Sequence, residues 1–229
     1  MKKKRILAVD DEVDILEILK FHLSRDGYEV VTAKSGEDAL QTADIFNPDL
    51  ILLDLMLPGI DGLTTCRKLK SSEKTQHIPI IMLTAKGDES DIVAGLEFGA
   101  DDYITKPFSS KIVSARIKAL LRRTGDKVAE SNDTVQVAGL FMNPQTREVT
   151  FNGESLKLTY SEFEILFLLS GTPGRVYTRN QIVNKIKGGD YPVTERSIDV
   201  QIVSLRKKLK GSSGLIETIR GVGYKFKSQ

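Results

Sequence analysis

The sequence predicts an α/β fold: a (βα)5 doubly wound parallel sheet in the first half and a winged helix-turn-helix in the second. Three observations predict it. Strand-like apolar runs near 5–9, 28–33, 49–54, 79–83 and 101–105 alternate with helical patterns, which implies right-handed crossovers and helices on both faces of a parallel sheet. Polar groups stand at the C-terminal ends of those runs, where open parallel sheets place their ligands. Beyond a polar stretch at 124–134, short strands are followed by three helical segments and a terminal hairpin.

The elements follow in order. Ile6-Leu7-Ala8-Val9 is a short apolar run, and Val13, Ile15, Leu16, Ile18, Leu19 and Leu23 then recur at helical spacing until Gly27. Leu50-Ile51-Leu52-Leu53 is apolar enough for a strand buried on both faces, with Asn47-Pro48 before it and Pro58-Gly59 and Gly62 after it. Ile112, Val113, Ile117, Leu120 and Leu121 mark the last helix of this half. Residues 124–134 hold two aliphatic residues and no aromatic, so they read as a linker between domains at 1–123 and 135–229.

The second half opens with strand patterns at Val135–Phe141, Glu148–Phe151 and Ser155–Leu158, broken by Asn143-Pro144 and the hairpin signal Asn152-Gly153. Thr159-Tyr160-Ser161-Glu162 matches a capping box, with Leu158 and Phe163 spaced as a hydrophobic staple. The helix it starts ends near Gly171. Further helices are predicted at 178–187 and Thr194–Leu209, then a hairpin from Leu215–Arg220 through Gly221-Val222-Gly223 to Tyr224–Phe226.

Composition bounds the function. At 229 residues, 40% hydrophobic and 28% charged, the chain suits two ordinary globular domains. No apolar run approaches the roughly 20 residues a membrane helix needs, and Lys2 to Lys4 lead straight into a strand, so neither a membrane partner nor a signal peptide is expected. Cys66 stands alone, which excludes an internal disulfide, fits a reducing cytoplasm and suggests a small packed residue. The net charge of +2 hides an asymmetry: residues 194–229 carry 8 basic against 3 acidic side chains. Positive charge concentrated on one helix favours a polyanion partner.

The chemistry sits at the strand ends. Asp10 and Asp11 follow the first run, Asp54 closes the third, Thr84 follows Leu83, and Lys106 follows Tyr103-Ile104-Thr105. A carboxylate ending a buried strand is costly unless a charge meets it. Three carboxylates, a hydroxyl and an amine suit a Mg2+ and phosphoryl site: Asp54 as nucleophile, Asp10 and Asp11 as metal ligands, Lys106 as fixed cation and Thr84 as hydroxyl donor.

These residues carry a resemblance. Val9-Asp10-Asp11-Glu12, Leu53-Asp54-Leu55-Met56-Leu57-Pro58, Leu83-Thr84-Ala85 and Tyr103-Ile104-Thr105-Lys106-Pro107-Phe108 resemble a two-component response-regulator receiver domain. Leu158–Phe163, Arg196–Val200, Leu205–Leu209 and Ile219–Tyr224 are similar to the winged-helix effector of the OmpR/PhoB subfamily. The resemblance implies that Asp54 accepts a phosphoryl group from a sensor histidine kinase. It also implies that Asp11 binds Mg2+ directly, Asp10 through water and Met56 through its carbonyl, and that Thr84 and Tyr103 form a switch. Implied partners are double-stranded DNA in direct repeats, a second copy of the chain after phosphorylation, and RNA polymerase.

On the 194–209 helix, Ile198, Ile202, Leu205 and Leu209 should face the core, leaving Arg196, Gln201, Val203, Ser204, Arg206, Lys207 and Lys210 outward or at the flanks. By resemblance Arg196 and Lys207 meet phosphate, Gln201 and Arg206 lie over the major groove, and Arg220 enters the minor groove. Val203 and Ser204 depart from the basic or larger polar residues of several members; Val203 invites contact with a thymine methyl. For the dimer face, Asp101, Asp102, Arg116 and Arg123 match charged positions, whereas Ile92 and Ile112 replace a usual Arg–Glu pair. Two rival readings remain: a protein-binding winged helix, and an aspartyl phosphatase, which would need an acid where Met56 stands. A dinucleotide-binding fold is weaker, since no Gly-x-Gly-x-x-Gly follows the first strand.

Overall fold

Leucine-rich runs without a single polar interruption can only be satisfied inside a sheet covered on both faces, and the computed structural model shows them there. It describes residues 3–85, 98–125, 134–187, 196–209 and 213–228, in two units that divide between Leu121 and Arg122.

In the first unit, β1 (Arg5–Val9), β2 (Glu29–Ala33), β3 (Leu50–Asp54), β4 (Ile80–Ala85) and β5 (Asp102–Lys106) form one sheet in the order β2-β1-β3-β4-β5. All its pairings are parallel. The order reverses between β1 and β3, so the topological switch point lies at their C-terminal ends. Alternation sends Leu7, Val9, Ile51 and Leu53 to a core shared with Ala39 and Ala43 of α2 (Gly36–Phe46) and Cys66 and Leu69 of α3 (Gly62–Ser71). Leu16, Leu19 and Leu23 are the buried stripe of α1 (Val13–Arg25). The fourth described helix, α4 (Ser110–Gly125), buries Val113, Ile117, Leu120 and Leu121 and runs into the predicted linker.

Local chemistry fixes the loops that carry the site. Ser35 and Asp61 cap α2 and α3 through Asp38 N and Thr64 N. Behind β3 the chain folds back so closely that a Cβ on Gly62 would lie 2.1 Å from the Asp54 carbonyl oxygen. Lys70 is buried on α3, where its ammonium donates to the Ile78 carbonyl and to Asp101 Oδ2, both at 2.8 Å; Asp101 also accepts from Ile80 N at 2.9 Å. This pair binds α3 to the start of β4 and β5.

The second unit begins with an antiparallel sheet, β6 (Val135–Val137), β7 (Leu140–Met142), β8 (Val149–Phe151) and β9 (Glu154–Ser155). The expected single strand at 135–141 is instead a hairpin, because Ala138 and Gly139 both take positive φ, 48° and 79°, and reverse the chain. The expected strand at Ser155–Leu158 reduces to the two residues of β9, since the chain then leads into the cap of α5 (Tyr160–Ser170). That capping box is present: Glu162 N donates to Thr159 Oγ1 at 3.4 Å, and Thr159 N to Glu162 Oε2 at 2.7 Å.

Helices α6 (Arg179–Lys187) and α7 (Arg196–Lys208) follow, then a 3-10 turn (Ser213–Leu215) and the hairpin of β11 (Ile216–Ile219) and β12 (Gly223–Phe226). The core joins Phe163, Leu166 and Leu169 of α5, Ile182 and Ile186 of α6, Ile198, Ile202 and Leu205 of α7, and Tyr224 and Phe226 of β12. A third strand, β10 (Tyr177–Thr178), completes the hairpin sheet. It fits only because residue 223 is glycine; a Cβ there would meet the Tyr177 carbonyl oxygen at 2.0 Å.

Lys70→Ala should destabilise the first unit by about 3–5 kcal/mol, because it strands a buried carboxylate. Urea unfolding followed by near-UV circular dichroism measures this; a loss under about 1 kcal/mol, the scale of an exposed pair, would refute the structural role given to Lys70.

Candidate functional site

The register Val9↔Leu53 sets the ends of β1 and β3 side by side, so Asp10 and Asp54 meet at the switch point. Both are buried and Asp11 is exposed; carboxylate oxygens of the three lie within 4.8 Å of one another. Lys106, at the end of β5, reaches across to them. Its Nζ lies 2.8 Å from Asp10 Oδ2, 2.9 Å from Asp54 Oδ1 and 3.7 Å from Glu12 Oε1. Backbone groups hold the other oxygens: Glu12 N donates to Asp10 Oδ1 at 3.1 Å and Met56 N to Asp54 Oδ2 at 3.2 Å. Thr84 is buried on β4, one residue past the partner of Asp54. Tyr103 is half-buried on β5 against the α2–α3 core.

Burial, and then the neighbouring Asp10 charge, raise the Asp54 carboxyl above its ordinary value, although Lys106 pulls the other way. Burial works to lower the Lys106 ammonium, but hydrogen bonds to Asp10 and Asp54 outweigh it and raise it. One ammonium thus faces several carboxylates and leaves them short of positive charge. The donor set is all oxygen and one member opens to solvent, which fits a hard divalent cation such as Mg2+.

A carboxylate–lysine cluster at the switch point of a β2-β1-β3-β4-β5 sheet, followed by a winged helix, defines a response regulator with a DNA-binding output domain. The chain belongs to the OmpR/PhoB family of these proteins: residues 6–138 match the response regulator receiver domain, and residues 153–226 the C-terminal domain of transcriptional regulatory proteins. It is 44% identical to the phosphate regulon transcriptional regulatory protein PhoB of Pseudomonas aeruginosa, over 100% of both chains. It is 43% identical to the alkaline phosphatase synthesis transcriptional regulatory protein PhoP of Bacillus subtilis, over 97% of this chain and 96% of that one. Among solved structures, DrrB, an OmpR/PhoB homologue of Thermotoga maritima, matches with a TM-score of 0.52 at 32% identity, over 99% of this chain and 100% of that one. A mutant of RitR matches with a TM-score of 0.81 at 28% identity, with the same coverage. PhoB and PhoP are transcriptional regulatory proteins, which disfavours the phosphatase reading. Among the described residues no helix is long and apolar enough to cross a membrane.

On the output unit the structure corrects three expectations. Gln201 is buried rather than over a groove, because it lies three residues from Ile198 and four from Leu205, inside the apolar stripe. Ser204 is half-buried and donates to Glu162 Oε1 at 2.5 Å. Arg206 turns back on the hairpin: Nε and Nη2 donate to the Ile216 carbonyl at 3.2 and 2.6 Å, and Nη2 to Thr218 Oγ1 at 2.8 Å. Val203 and Lys207 are exposed, as is Arg220 at the hairpin turn. The Arg196 side chain lies outside the described atoms, whereas Lys225 pairs with Glu217 at 2.9 Å.

Two anchors escaped the sequence reading. Glu162, the capping-box acid, also receives Lys208 Nζ at 2.6 Å and so ties α7 to the start of α5. Asp199 Oδ1 accepts from Arg179 Nε at 2.7 Å and from the Tyr224 hydroxyl at 2.6 Å, which joins α6, α7 and β12. The spacing Glu162–Thr159 announced only the cap; nothing in the pattern announced the long-range partners.

The expected dimer face also changes. Asp101 is turned inward onto Lys70, and Asp102 is buried beneath Arg116 Nη1, 3.1 Å from its Oδ2. These charges are satisfied inside one chain. Ile112 is 48% exposed, which leaves about half of its apolar surface open to solvent. Ile92 lies outside the described residues, and so does the Arg123 side chain.

In EDTA, the Asp54 carboxyl carbon should titrate above the ordinary 3.8, and Lys106→Met should push it higher by removing the opposing charge. Carbon-13 NMR reads both; an unshifted midpoint would contradict the burial argument. Arg206→Ala leaves the buried Ile216 carbonyl without its donors, at about 1–3 kcal/mol. Amide exchange across 213–228 should accelerate, and unchanged protection would mean the hairpin does not depend on Arg206.

Proposed function

We propose that Asp54 is the phosphoacceptor of a receiver domain at 1–123, joined by a linker at 124–134 to a DNA-binding domain at 135–229. The observation that carries this reading is the burial of Asp54 between Lys106 and the Asp10–Asp11 pair at the switch point. An Asp54 oxygen attacks the phosphorus of a phosphohistidine on the sensor kinase, the N–P bond breaks, and an acyl phosphate forms. Lys106 stays in contact with the oxygens as charge develops. Asp10, Asp11, Asp54 and the Met56 carbonyl would hold Mg2+, whose charge neutralises phosphoryl oxygens. The Thr84 hydroxyl then turns to a phosphoryl oxygen and Tyr103 follows inward.

The altered face around Ile112 pairs with a second copy, which sets two output domains on direct-repeat DNA about one helical turn apart. Helix α7 enters the major groove, with Arg196 and Lys207 on phosphate and Arg220 in the minor groove. Transcription of the adjoining genes is the output, and the setting is the cytoplasm. Exposure of Val203, Lys207 and Arg220 supports this over a protein-binding output.

Acetyl phosphate in Mg2+ should label wild-type protein at Asp54, EDTA should abolish the label, and Asp54→Asn should retain under a hundredth of it. Asp11→Ala should lose metal-dependent labelling, Asp10→Ala less of it. Stable label on Asp54→Asn would sink the assignment.

A further inference from the structure

A recognition helix normally reads bases with polar side chains, yet the polar side chains of α7 are largely committed elsewhere. Gln201 is buried in the core stripe. Asp199 holds Arg179 and Tyr224, Ser204 and Lys208 hold Glu162, and Arg206 holds the β11 backbone. Among the described side chains of α7, what remains outward is a ridge at helical spacing: Val200, half-buried, Val203, 50% exposed, and exposed Lys207.

We infer that Val203, with Val200 one turn before it, reads thymine C5-methyl groups, so that base choice at the centre of each half-site is made by apolar contact. This deepens the reading that α7 lies in the major groove and rests on it. The thymine methyl is the one apolar mark on a major-groove base edge. A valine over it removes apolar surface from water on both partners. A valine over cytosine N4 or guanine O6 would strip water from a polar group and return no hydrogen bond, so the same side chain selects and rejects. Branching at Cβ leaves the valine essentially one rotamer on a helix, so little side-chain freedom is lost on contact. Lys207, one turn further on, adds attraction to the backbone without adding a base preference.

Duplexes are selected from a random library with full-length phosphorylated protein, and each thymine of the selected half-site is then replaced singly by deoxyuridine, which lacks only the methyl. Wild type should bind about three- to fivefold more weakly at one or two replaced thymines, the scale of one buried methyl group. Val203→Ala should bind the thymine duplex more weakly and become indifferent to the replacement at one of them. Because Val203 is exposed and alanine favours helix, the variant keeps its fold, and unchanged circular dichroism verifies that. Selected duplexes indifferent to every methyl, or a Val203→Ala protein with wild-type sensitivity at every position, would overturn this inference alone. Failure to select any duplex would overturn the DNA-binding reading and this inference with it.

Discussion

The ammonium of Lys106 shared between Asp10 and Asp54 is the interaction on which the receiver unit depends. Two carboxylates buried at adjacent strand ends repel each other and cannot both be ionised without a counter-charge. Lys106 supplies one from the far side of the sheet, and so links the ends of β1, β3 and β5. One cation cannot balance three carboxylates, and the acidic all-oxygen set that remains suits a hard divalent ion. The runs Ile6–Val9 and Leu50–Leu53 beneath Asp10 and Asp54 are wholly apolar and offer these carboxylates no partner. Fold and reactivity are in this sense one arrangement: parallel strands bring the charges together, and the switch point leaves them open on one side.

Glu162 holds the analogous position in the output unit. It is a buried acid that closes a capping box and also receives Ser204 and Lys208 from α7. A charge-assisted contact of this kind is stronger and more directional than apolar packing. Helix α7 is therefore held in rotation and height by the first turn of α5, and Arg206 holds the hairpin to the same helix. The described polar groups Asp199, Ser204, Arg206 and Lys208 of this basic helix instead fix the shape of the domain.

The fold and the meeting of Asp10, Asp54 and Lys106 were legible because both follow from short periods in the chain. Runs such as Ile6–Val9 and Leu50–Leu53 admit only a strand buried on both faces, and the residue that ends such a run must lie at the strand terminus. Side-chain destinations on α7 and at Asp101 were not legible, for a different reason. Gln201 sits in the stripe by spacing, but a polar residue there is read as outward when its partners are unknown. Arg206 and Asp101 each had two places to put a charge, and the choice rested on Ile216, Thr218, Lys70 and Ile80, which are distant in sequence. Two-residue strands such as β10 carry no period at all, and only the glycine at 223 hinted at a close backbone neighbour.

Cys66 sits inside the α2–α3 core, where burial pushes its thiol up to about 12. Thiolate, not thiol, reacts with electrophiles, so burial in the folded core slows the reaction of Cys66 with maleimides and iodoacetamide at neutral pH. That slowness makes the native sequence a ready background for spectroscopy. A single cysteine introduced on an exposed surface would carry the whole of any fluorophore or spin label, and slow modification of Cys66 itself would keep time for the opening of the receiver core.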